Sequence, residues 1–232
     1  MRRWILLGLA LATIVAWQVP SGRLAVYPFT LLATYAHEMG HGISAWLLGG
    51  RFVELVLHPD GSGHARHLMA PSRIASALVA GGGLVGPSIL GGLLLAASRR
   101  PGWARWLLAL GAAGMAVSLV AVVRNPFGVV FVGTTAAGLA AVVRFAPGWC
   151  PFLLQLLAVQ LGLSVFQDLD YMFSPGGRVG GTWVRSDTAA IQAALWLPYW
   201  FWGALTAAVS FAAVGAGAWV AFRPGREAGR AL

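Results

Sequence analysis

The chain has no lysine, a single cysteine and only seven acidic residues among 232, and just 10% of it is charged. Soluble domains carry about 25% charged residues, so this scarcity excludes an ordinary soluble fold. With 58% hydrophobic residues and a mean hydropathy of +0.74, the composition is that of an integral membrane protein. The lone Cys150 excludes an intrachain disulfide and any multi-cysteine zinc site. All 16 basic side chains are arginine and set a net charge of +9. They fall mostly between apolar runs, where anionic lipid headgroups of the bilayer are the natural partner. No interleaving of aromatic and basic residues marks a nucleic-acid groove. The arginines divide evenly between the two sides of the membrane, so charge assigns no orientation. Internal repeats are absent too, leaving one membrane-embedded domain over residues 1–232.

What is present is a succession of apolar runs, at residues 4–19, 24–48, 75–97, 103–123, 126–143, 151–173 and 189–222. The first follows Arg2-Arg3 but ends at no cleavage site, so it reads as a membrane helix rather than a removable signal. The last is too long for one straight crossing, and Pro198 divides it into an aromatic interfacial part and a span proper. The expected fold is therefore an all-α polytopic membrane protein of six to seven transmembrane helices. Residues 51–72 depart from this pattern. Phe52-Val53-Glu54-Leu55-Val56-Leu57 has β character, Asp60-Gly61 signals a turn, and His64-Ala65-Arg66-His67-Leu68 can return as a second strand. This predicts a short β-hairpin, with His58, His64 and His67 as interfacial residues of it.

Inside the second apolar run stands His37-Glu38-Met39-Gly40-His41. Residues four apart share a helix face, so His37 and His41 can offer two imidazole nitrogens to one metal. Glu38 stands beside them, where a carboxylate can take a proton from water. Zinc suits this ligand set. Ionisable groups in a membrane-length apolar run are costly and point to function. A catalytic zinc with two histidines usually takes a third protein ligand, commonly a carboxylate. Asp168 and Asp170 close the run at 151–173; on a helix they lie about 200° apart, so only one of them can face the site. The other acids stand less favourably: Glu54 and Asp60 in the hairpin, Asp187 in a loop, Glu227 in the tail. Residues 174–188 form a glycine-rich polar loop, ending in Ser186-Asp187-Thr188 as the cap of a following helix.

These residues, with Gly49-Gly50-Arg51, His58-Pro59-Asp60-Gly61-Ser62-Gly63, Asp168-Leu169 and Ser186-Asp187, make the chain similar to the site-2 protease family, in particular its small bacterial branch. The resemblance implies an intramembrane zinc metalloprotease of the bacterial inner membrane, acting on a membrane protein or a membrane-proximal peptide. It implies Zn2+ held by His37, His41 and Asp168, with Glu38 as the base. No PDZ-like insertion is present. Two other functions fit the same residues. A catalytically silent protein of this fold would hold zinc and cleave nothing; a metal or ion transporter would show flux in liposomes.

Overall fold

A computed structural model describes residues 3–223. Eight α-helices and two small β-hairpins follow in order. Helices α1 (Arg3–Trp17) and α2 (Pro20–Leu47) meet at a bend of 119°, where Val19 is extended and Pro20 opens α2. Proline suits that first helical position because its missing N–H would have no intrahelical acceptor there. After β1 (Arg51–Leu57) and β2 (Gly63–Leu68) come α3 (Arg73–Ala97), α4 (Pro101–Ala121), α5 (Pro126–Phe145) and α6 (Cys150–Met172). A second hairpin, β3 (Gly176–Val179) and β4 (Thr182–Arg185), leads into the short α7 (Asp187–Leu195) and the long α8 (Tyr199–Phe222).

Helices α3, α4, α5, α6 and α8 are each long and apolar enough to cross a membrane, and the bent α1–α2 pair, counted as one span, brings the number to six. The expected helical membrane fold with a hairpin after the histidine-bearing helix is what forms. The first two runs, expected as separate crossings, form a pair bent by 119° that meets the length and hydropathy of a span only when taken together. The long last run divides at Pro198, which caps α8.

Helix α3 is the hub. Lipid tails are as apolar as leucine, so membrane helices associate through close packing, and small residues allow it. A Cβ at Gly82 would overlap Ser44 of α2, one at Gly91 would reach the backbone of Gly162 in α6 at 2.5 Å, and one at Gly92 would overlap Ala213 of α8. Three faces of one helix thus press closely against three neighbours.

The first hairpin is fixed from both sides. In β1, Leu55 and Leu57 are fully buried, in a cluster with Leu108, Met115 and Val132 of α4 and α5. Leu55 donates to Val122 O and accepts from Arg124 N, while the Asn125 side chain bonds both N and O of Leu57. Strand β1 is thereby closed on its outer edge. Since Leu55 pairs with Ala65 and Leu57 with Gly63, the outward-facing amides of β2 at these two residues look away from β1. The turn is tied to α2: Tyr27 donates to Pro59 O and Thr34 to Gly61 O.

The second hairpin replaces an expected loop. Gly180 and Gly181 both have positive φ, 55° and 83°, as a two-residue primed turn requires. Gly180 N donates to Ser62 Oγ at 3.1 Å, so the tips of the two hairpins touch.

Candidate metal centre

His37 and His41 stand one turn apart on the buried face of α2, as their spacing dictates. His41 Nδ1 lies 2.9 Å from Val79 O of α3. A carbonyl only accepts, so Nδ1 carries a proton, and in the neutral ring Nε2 presents the lone pair. Gly83, one turn further along α3, leaves the space the imidazole fills; a Cβ there would overlap the ring.

The carboxylate facing this pair is that of Asp187. Its Oδ2 is 3.0 Å from His37 Nε2 and 3.3 Å from His41 Nε2, and the two Nε2 atoms are 3.1 Å apart. Local chemistry sets it there. Ser186 is the N-cap of α7: its Oγ accepts from Ala189 N and donates to Ser174 O. Asp187 is then the first helical residue, where the amides of the helix start favour a carboxylate. Tyr171 of α6 completes the setting, its hydroxyl donating to Asp187 Oδ2 at 3.4 Å and accepting from Asp187 N at 3.2 Å. Burial by itself would raise the Asp187 carboxyl, but the facing His41 and His37 hold it below the usual carboxylate range.

Asp168, the acid implied as third ligand, stands elsewhere. It lines a separate cavity of about 180 Å³ with Thr30, Thr34 and Gln167 on the other side of His37 and Glu38, and makes no side-chain hydrogen bond among the described residues. Asp170 is exposed, so of the two acids Asp168 is the one turned towards the site. The structure brings His37, His41 and Asp187 together and leaves Asp168 out of that group. The sequence ranks Asp187 below Asp168, as an acid in a loop, and does not single out Tyr171. The signal for the first was the Ser186-Asp187 helix start; for Tyr171 there was none.

The three atoms suit a cation. With both rings neutral, at most one proton, on His37 Nε2, lies among two nitrogens and an oxygen that all converge. A tetrahedral zinc with bonds of about 2.0 Å spaces its ligands by about 3.3 Å, close to the triangle found here. Glu38 is buried beside it, its carboxylate accepting from the outward-facing Ala65 amide of β2. Both open into a cavity of about 690 Å³, whose walls include Gly63, Ala65 and Tyr171. Burial, reinforced by neighbouring His58 and His41 respectively, holds the cavity-lining His64 and His67 below the ordinary imidazole value.

A polytopic helical membrane fold enclosing a His-Glu-x-x-His helix and an aspartate that completes its histidine pair defines a class of membrane metallopeptidase-like proteins. The chain belongs to the Peptidase M50B-like family, the site-2 protease family, whose model matches residues 6–217. No curated protein and no solved structure matches it.

Proposed function

We propose that the protein is an intramembrane zinc metalloprotease that hydrolyses a peptide bond within or beside the bilayer, in the bacterial inner membrane. The observation that carries this reading is the triangle of His37, His41 and Asp187 donors with the Glu38 carboxylate beside it. When bound there, zinc would supply Lewis-acid polarisation of the scissile carbonyl and acidify water. His41 is oriented by Val79 and Asp187 by Tyr171, so two of the three donors are held in place by partners outside the centre. Glu38 takes the proton of the water whose oxygen adds to the carbonyl carbon. It then delivers that proton to the departing nitrogen as the C–N bond breaks. The Ala65 amide keeps its carboxylate turned toward the cavity.

The substrate is a membrane segment that has locally unwound, because helical amides are shielded by their own hydrogen bonds. What supports this is the outer edge of β2. Gly63 and Ala65 turn their backbone groups away from β1 and line the same cavity; Glu38 takes the Ala65 amide, and an extended chain can pair with the other groups of that edge.

Glu38→Gln tests the reading. The amide keeps the size of the side chain but takes up no proton at working pH. The variant is expected to retain its metal and to lose cleavage of a membrane segment found by comparing fragments in cells with and without it. Undiminished turnover would remove Glu38 as the base. Metal bound by the wild type without cleavage of any such segment would favour a binding protein of the same fold.

A further inference from the structure

The chain has five histidines, and all five line the single cavity of about 690 Å³. His37 and His41 belong to the metal centre. His58, His64 and His67 do not, and three further imidazoles in one cavity of a chain this poor in polar residues call for a role. They grade from outside to inside. The His64 side chain is 47% exposed and stacks on His58, with ring centroids 5.8 Å apart. His37 and His41 are 13% and 11% exposed. His67, also on β2, is partly buried, and its Nδ1 is enclosed without a hydrogen-bond partner among the described residues. A buried ring nitrogen left unpaired is costly and points to a ligand that visits it.

The carboxylates nearby are already engaged. Glu54 is held by Arg66 through bonds of 3.0 and 3.1 Å, and Asp60 accepts from Ser62 N and Oγ. Glu54 Oε1 also stands 4.0 Å from His64 Nε2, so the hairpin's unengaged donors are imidazoles, which suit zinc, copper, iron and nickel over magnesium or calcium. They also answer an electrostatic problem. A chain of net charge +9 repels a dication, and uncharged donors at the mouth can still draw one in.

We propose that His58, His64 and His67 form an entry relay that captures a divalent transition-metal ion at the cavity mouth and passes it inward to His37, His41 and Asp187. The proposal rests on the reading of those three residues as a metal centre. The outer imidazoles hold the ion weakly, lacking a free carboxylate, while the inner set has two nitrogens and an oxygen already converged. Transfer inward is downhill.

The test uses the full chain in nanodiscs, stripped of metal and mixed with Co2+ alone, following the visible absorption of the bound ion in a stopped-flow instrument. With His58→Gln, His64→Gln and His67→Gln combined, loading is expected to slow by about tenfold while the endpoint stays at the wild-type value. The single change His64→Gln, on an exposed side chain, is expected to slow loading by a smaller factor and guards against misfolding of the triple variant. Wild-type loading rates in both variants would overturn the relay and leave the metal centre standing. A lowered endpoint in His64→Gln would also overturn it, by making that histidine a ligand of the resident ion. Absence of Co2+ uptake by the wild type would overturn the metal centre itself.

Discussion

Replacing Asp187 by alanine is the most discriminating perturbation of the centre. Its Oδ2 lies within 3.0 and 3.3 Å of the two Nε2 atoms, so one carboxylate oxygen serves as the third of three donors. Removing even an outer hydrogen-bond partner of a metal ligand costs about 10–100-fold in affinity. A lost donor should cost more, so zinc affinity is expected to fall by at least about 100-fold, or about 2.8 kcal/mol. Asp168→Ala is the control. That carboxylate makes no hydrogen bond to the centre and lines a different cavity, so its loss should change affinity by less than about tenfold. Competition with a chelator of known affinity, run on wild type, Asp187→Ala and Asp168→Ala, reads both numbers. Loss of metal from Asp168→Ala with retention by Asp187→Ala would refute the ligand set. Retention by both would place the third donor elsewhere.

Two further outcomes follow from the same geometry. Tyr171→Phe removes the hydroxyl that bonds both the amide and the carboxylate of Asp187; zinc affinity should drop about 10–100-fold in the same competition, and an unchanged value would reduce the phenol to packing. Gly83→Ala puts a methyl where the His41 ring sits; metal content by elemental analysis should fall while circular dichroism stays helical, and full metal occupancy would show that α3 yields at that point.

The membrane class, the first hairpin and the histidine pair could be read from the chain because each depends on local pattern. Apolar runs of span length, an Asp60-Gly61 turn between β-rich segments, and His37 and His41 at helical spacing are all signals within a few residues. Asp187 was of another kind. Its partner His37 lies 150 residues upstream, and its place depends on a cap and a second hairpin folding back over the site. Read locally, Asp168 and Asp187 are both acids near a helix end. Only the packing of α3, α6 and α7 decides which of them meets the histidines. The α1–α2 bend is not legible for a similar reason: two apolar runs carry no signal of the angle between them.

The glycine-lined faces of α3 also say where this protein can vary. Helices α4 and α5 are mostly exposed to lipid, and their outer positions can exchange one apolar residue for another at little cost. Helix α3 supplies no metal donor, yet it meets α2, α6 and α8 through atoms that leave no room for even one methyl group. A saturation scan read out by cleavage would thus find a band of intolerance along a helix without chemistry, as sharp as that at the histidines. The tolerances of the centre are machined into the part beside it.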